Sequence, residues 1–99
     1  MTFSSRMEDG CLIVNVQGRL DTLNAPDLIA GLEPLMGQAN SMVLDLDGLE
    51  YMSSAGLRAL LMVHKTMAHK GGLTVVHAGE LVTEVLQVTG FYDVLHIVQ

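Results

Sequence analysis

Residues 42–70 read M-V-L-D-L-D-G-L-E-Y-M-S-S-A-G-L-R-A-L-L-M-V-H-K-T-M-A-H-K, and the order of elements in this stretch decides the fold. Met42, Val43 and Leu44 begin an apolar run that predicts a strand over Met42–Leu46. Its apolar start suggests a strand covered on both faces. Asp45 and Asp47 then lead into a turn. The pair Ser53-Ser54 opens a second helix that runs to about Lys70. Within it Leu57, Leu60, Leu61 and His64 recur at i, i+3, i+4 and i+7, which predicts the inward face. Arg58, Met62, Lys65 and His69 fall on the opposite side. Gly71-Gly72 ends the helix, and His69 and Lys70 suit the negative end of its dipole.

The rest of the chain extends this strand–helix alternation. Thr2–Glu8 predicts a short edge strand, and Asp9-Gly10 is a hairpin turn signal. Cys11–Gln17 predicts a second strand, ended by Gly18-Arg19-Leu20-Asp21. Thr22 or Asn24 caps a first helix, with Pro26 in its opening turn. That helix extends to about Ala39, and Pro34 predicts a kink or an early end. Leu73–His77 is a strand. Gly79 and Glu80 open a third helix with Leu81, Val82, Val85 and Leu86 inward, Gly90 stops it, and Leu95–Val98 closes the chain as a strand. The pattern β-β-α-β-α-β-α-β predicts an α/β fold with a mixed, largely parallel sheet, an N-terminal hairpin at its edge and at least three helices.

Composition narrows the function. Ninety-nine residues with a hydrophobic fraction of 49% predict one domain, residues 1–99, with a true core. The net charge is −6, and the five cations (Arg6, Arg19, Arg58, Lys65, Lys70) are dispersed, unlike a nucleic-acid surface. The longest unbroken apolar run, Ala59–Val63, is too short to span a membrane, so no direct membrane insertion is expected. The first ten residues lack signal-peptide order, and Cys11 stands alone at the start of an apolar strand and reads as a buried thiol, so the expected compartment is the cytoplasm.

Catalysis finds little support. Asp45 and Asp47 could suggest acid–base or metal chemistry, but a strand-end Asp is more often a turn former. No base stands beside Ser54, and the nucleophile-elbow, zincin and phosphate-loop motifs are missing. His64 and His69 are five apart, misaligned on a helix, and His77 and His96 add no ligand spacing, so no metal or cofactor is expected. A receiver domain accepting phosphate on a strand-end Asp is a further rival, but its early acidic pair and late lysine are absent.

The Ser53-Ser54 pair has two readings. A serine at a helix start is a favoured cap, accepting from an amide one turn in; no capping-box partner follows, since the residues three further on are Gly56 and Leu57. Equally, a hydroxyl there sits where free amides and the helix dipole converge, so a phosphate added to it is accommodated.

Two segments carry a resemblance to a known family. Gly18–Ala25 (G-R-L-D-T-L-N-A) and Val43–Arg58 (V-L-D-L-D-G-L-E-Y-M-S-S-A-G-L-R) resemble the STAS domain of bacterial anti-sigma factor antagonists, the second segment more specifically. The resemblance implies phosphorylation of a serine at the start of the second helix by a GHKL-type anti-sigma factor kinase, and its reversal by a Ser/Thr phosphatase. The matching residue is Ser54, with Ser53 as the alternative; many members carry an aspartate where this chain has Ser53. It implies a partner-binding surface drawn from Asp21, Thr22, Ser53, Ser54, Gly56, Arg58, Met62 and Lys65, on a monomer or weak dimer. Gly56 would either admit a partner backbone or seat the helix on a neighbouring strand. Asp21, Asp47 and Glu50 would lie beside the phosphate if their loops share one end of the sheet. The family also includes non-phosphorylated accessory subunits of transporters and other assemblies, which is the alternative role.

Overall fold

The computed structural model describes residues 1–98. Two strands, β1 (Thr2–Glu8) and β2 (Cys11–Leu20), form the expected hairpin, with Glu8 opposite Cys11 and Thr2 opposite Gln17. The turn between them places Asp9 at φ 50° and Gly10 at φ 82°, the left-handed pair that an Asp-Gly turn supplies. After them come α1 (Ala25–Met36), β3 (Ser41–Asp45), β4 (Leu49–Met52), α2 (Ser54–Ala68), β5 (Leu73–Val76), α3 (Glu80–Val88), a 3₁₀ turn at Phe91–Asp93, and β6 (His96–Val98).

The sheet order is β1-β2-β3-β5-β6, with β3, β5 and β6 each parallel to the preceding neighbour. Every crossover therefore steps in the same direction, and right-handed connections place all three helices on one face. Burial agrees. Leu12, Val14, Val16, Met42, Leu44, Leu73 and Val75 are buried and join one core with Leu28 and Leu32 of α1, Leu60, Val63 and Met67 of α2, and Val82 and Leu86 of α3. The intervening Ile13, Val43 and Val76 are only half-buried. The strand β3 is thus covered on one face rather than on both: its start is apolar because Met42 and Leu44 face the helices while Val43 keeps partial cover from its neighbours.

β4 was not expected. It pairs in parallel with the far end of β2, Gly18 opposite Leu49 and Leu20 opposite Met52, across a register shift between Gly18 and Arg19. Pairing with β4 also carries β2 three residues beyond Gln17, so Gly18, Arg19 and Leu20 are strand, not loop. Gly18 (φ 87°) and Gly48 (φ 92°) make the local bend, and the Gly18 amide donates to the Gly48 carbonyl at 2.9 Å. Four residues with a single polar interruption carry too little period to reveal a strand whose partner lies thirty positions away.

Helix ends and faces shift for stated reasons. α1 stops at Met36, two residues after Pro34, and tighter bonds follow it (Gln38 amide to Leu35 carbonyl, 3.1 Å; Ala39 amide to Met36 carbonyl, 3.2 Å). The Lys70 ammonium donates to the Met36 carbonyl at 2.6 Å and the Ala39 carbonyl at 3.0 Å, closing that end. Lys70 itself lies just past α2, which ends at Ala68 with the Lys70 and Gly72 amides both donating to the Met67 carbonyl (2.9 and 3.0 Å). The buried face of α2 is Gly56, Leu57, Ala59, Leu60, Val63 and Met67, rotated from the expected one; Leu61 and His64 are half-buried. The small residues Ala55 and Ala59 face α1 across a groove. On α3 only Val82 and Leu86 are buried, Val85 is half-buried and Leu81 is exposed, since this nine-residue helix meets the molecule along a narrow stripe. His77 leaves β5 with φ 57°, and Leu95 is buried just before β6 begins.

Candidate functional site

β2 and β4 run parallel and end level with each other, and each leads directly into a helix. The starts of α1 and α2 are therefore held side by side at the carboxyl end of the sheet, where functional loops gather in open α/β folds.

At the start of α2 the two serines divide their tasks. The Ser53 amide donates to the Leu20 carbonyl at 2.9 Å, which ties the residue to the end of β2. Its backbone is extended (φ −81°, ψ 174°), and its Oγ accepts from the Gly56 amide at 3.1 Å. The Ser53 carbonyl accepts from the Leu57 amide at 2.9 Å. Ser53 is the cap. Ser54 is the first helical residue; it is exposed, and among the described residues its hydroxyl has no hydrogen-bond partner.

Gly56 is buried against β2. A Cβ there would lie 2.9 Å from Leu20 Cγ and 3.0 Å from the Leu20 carbonyl oxygen. Of the two readings of this glycine the geometry supports seating the helix on the strand, and no partner backbone can reach it.

The start of α1 is organised by Asp21, not by the side chains of Thr22 or Asn24. Asp21 Oδ1 accepts from the Leu23 amide (3.0 Å) and the Asn24 amide (3.1 Å), and the Asp21 carbonyl accepts from the Ala25 amide (2.9 Å). Asn24 turns backward: its side chain accepts from the Asp21 amide and donates to the Arg19 carbonyl, both at 2.9 Å. With Asp21 half-buried in this turn, Thr22 and Leu23 project, and Leu23 is 88% exposed. An exposed leucine at a loop tip was not singled out from the sequence; its only local signal was an apolar residue inside a capping segment.

Between α1 and α2 lies a groove of about 520 Å³. Ala25, Ile29, Ala30, Ala55 and Ala59 make it apolar, and Thr22, Pro26, Glu33, Arg58 and Met62 complete its lining. Three of the expected surface residues, Thr22, Arg58 and Met62, therefore meet in one groove, and Ser54 directly precedes its Ala55 wall. Met62 is 48% exposed. Lys65 is exposed further along α2 and does not line the groove.

The acidic residues do not all share this end. The Asn15 side-chain amide donates to the carbonyls of Asp45 (3.3 Å) and Asp47 (3.1 Å). That sets the Asp45–Asp47 turn beside Asn15 on β2, ahead of the bend at Gly18 and Gly48, whereas Ser53 is tied to Leu20 beyond that bend. Asp47 therefore does not flank Ser54, which corrects that expectation. Glu50 is exposed on β4, and Asp21 stands at the start of α1. Asp45 is itself engaged: its Oδ1 accepts from the Asp47 amide at 3.0 Å and lies 2.9 Å from His77 Nδ1. Burial pushes its carboxyl up, but the Asp47 amide, His77 and Asn15 together outweigh burial and hold it below the usual carboxylate range. The pair once open to a catalytic reading is a turn anchor.

A brace also escaped the sequence: Arg19 lies 4.2 Å from the centre of the Tyr51 ring, across the β2–β4 pair. Among the described residues no three His, Cys, Asp or Glu side chains come together to hold a metal, and no helix is long and apolar enough to cross a membrane.

Comparison with known proteins defines the class. Residues 3–99 match the STAS domain family. BtrV of Bordetella bronchiseptica, whose name carries a proposed role as an anti-sigma factor antagonist, is 36% identical over 91 residues, covering 90% of this chain and 78% of the relative. The anti-sigma-B factor antagonist of Bacillus subtilis is 31% identical over 85 residues, covering 85% of this chain and 78% of the relative. The crystal structure of an anti-sigma factor antagonist from Mycobacterium paratuberculosis superposes with a TM-score of 0.88 at 25% identity, covering 97% of this chain and 83% of that one. The chain belongs to the STAS domain family, in the group of anti-sigma factor antagonists, which are regulators rather than enzymes.

Proposed function

We propose that this protein binds a kinase-type anti-sigma factor through the Ser54 end of the sheet and the α1–α2 groove, and that phosphorylation of Ser54 releases it. The observation that carries this reading is the division between the serines. Ser53 Oγ is engaged as the cap, which leaves Ser54 as the hydroxyl an enzyme can reach, directly beside an apolar groove. Leu23 and Met62 supply exposed apolar area at the same end, the kind of surface a protein partner covers.

In the modification step, Ser54 Oγ attacks the γ-phosphorus of ATP held by the kinase. The new O–P bond forms as the bond to the ADP oxygen breaks, and the serine proton passes to a base on the kinase. The product carries close to two negative charges at the first turn of α2, where free amides tolerate them. The fold persists and the docking surface changes: a bulky anion now stands at the mouth of an apolar groove. A loss of 2–3 kcal/mol in docking corresponds to about thirty- to a hundred-and-fifty-fold in affinity. A Ser/Thr phosphatase restores the starting state by hydrolysing the phosphoserine.

The test is incubation with ATP and the cognate GHKL-type kinase, followed by mass spectrometric location of the phosphate. The expected product is phospho-Ser54, unchanged in yield by Ser53→Ala and abolished by Ser54→Ala. Transfer to Ser53 alone, or to neither serine, overturns the proposal.

A further inference from the structure

The five Lys and Arg residues can be accounted for one by one. Arg6 Nε lies 3.1 Å from Glu8 Oε1. Arg19 sits on the Tyr51 ring. Lys70 is bound to the carbonyls that end α1. Among the described residues, that leaves Arg58 and Lys65 without an ion pair, a hydrogen bond or a ring beneath them, and only Arg58 is near Ser54.

Their spacing is the important point. Arg58 is at i+4 from Ser54 on α2, and both are exposed. Residues four apart face each other across one turn, with Cβ atoms about 5–6 Å apart. Helical side chains lean toward the N-terminus, so the Arg58 stem is directed over the turn that Ser54 begins. An anion at position i with a cation at i+4 is also the favourable order along the helix dipole. A guanidinium presents a planar fork that matches phosphate oxygens two at a time.

We infer that Arg58 is the intramolecular clamp for a phosphate on Ser54, so that modification draws the guanidinium out of the α1–α2 groove and onto the first turn of α2. This rests on Ser54 being the modified residue. Among the described residues Arg58 is the one cation lining the groove, and Glu33 the one anion. When Arg58 is held by the phosphate, the groove keeps only Glu33. A partner that docks a carboxylate against Arg58 loses that pairing in the same event that places a dianion at the groove mouth. The switch then acts at two points of one interface, and Arg58 sets its specificity without touching the kinase's reacting atoms.

The decisive measurement is the second ionisation of the phosphate, followed by ³¹P NMR. The full chain is made with phosphoserine encoded at position 54, so no kinase is needed and failure of enzymatic transfer cannot be confused with failure of the clamp. Arg58→Gln and Lys65→Gln remove the same charge from the same exposed side of α2. Lys65 lies eleven residues from Ser54, about 16 Å along the helix and beyond the Debye length in physiological salt. The clamp predicts a second pKa in the parent chain lower than in Arg58→Gln by about 0.2–0.7 unit, the size of one exposed ion pair, with Lys65→Gln indistinguishable from the parent. Thermal melts check that the fold is intact: Lys65→Gln should coincide with the parent, and Arg58→Gln should remain cooperative and fall by no more than the few degrees that loss of one such pair costs. Equal pKa values in the parent and Arg58→Gln, or an equal rise in Lys65→Gln, would overturn it.

Discussion

Two strand ends in this molecule carry polar residues on similar turns and do different things with them. At the end of β3, Asp45 accepts from the Asp47 amide and from His77, and Asn15 ties down the carbonyls on either side of Leu46. At the ends of β2 and β4, Asp21 and Ser53 play the same part, but beside them the side chains of Ser54, Leu23 and Arg58 are exposed and, among the described residues, have no hydrogen-bond or ion-pair partner. Both ends are built by the same capping chemistry. The docking surface proposed above lies at the end where that chemistry is complete and further exposed groups remain.

The sharpest way to break this contrast is at Gly56. A valine there drives its branched side chain into Leu20 where even a Cβ is at 2.9 Å, and we expect about 2–3 kcal/mol of destabilisation in urea unfolding. A change below 0.5 kcal/mol means that α2 does not sit on β2 as described. Next in size is the apolar tip. Leu23→Ser should lower affinity for the anti-sigma partner about five- to thirty-fold in calorimetry while leaving the melting temperature unchanged, as an exposed contact residue does. Unchanged affinity removes Leu23 from the docking surface.

The serine pair then separates structure from exposure. Ser53→Ala removes the cap and should cost about 1 kcal/mol, whereas Ser54→Ala should stay within about 0.5 kcal/mol of the parent. Equal costs would mean the two hydroxyls share the capping role. The smallest effect belongs to the engaged end. Asp45 has a carboxyl held below its unfolded value, so it contributes stability that is fully present above about pH 4, the unfolded range, and is lost as pH falls through the lower folded value. Asp45→Asn should therefore be less stable than the parent at pH 7 by about 0.5–1 kcal/mol, with the gap narrowing below pH 4. A gap that widens on acidification reverses the sign argued here.

Much of this was legible in the chain because it is local. The Asp9-Gly10 hairpin, the alternation of strands and helices, the effect of Pro34 and the Ser53-Ser54 helix start depend on neighbours within one turn or one pleat, and each stands where it was expected. β4 was not legible, because its only evidence is pairing with Gly18–Leu20, distant in sequence. On the inner face of α2, Leu57 and Leu60 stand as expected, but Ala59, Val63 and Met67 take the core positions in place of Leu61 and His64, which satisfy the period equally well; only packing against the rest of the core separates the two sets.

The amino-acid order alone therefore determined the three helices, the strands other than β4, how these connect, and that a hydroxyl pair opens the second helix. Tertiary structure decided which hydroxyl is occupied, that Gly56 faces Leu20, and that Thr22, Arg58 and Met62 meet in one groove while Asp47 lies elsewhere. The physical reason is range. Helix periods, caps and turns are satisfied by residues a few positions apart, whereas a groove between two helices and the free valence of a side chain depend on what distant strands bring beside it.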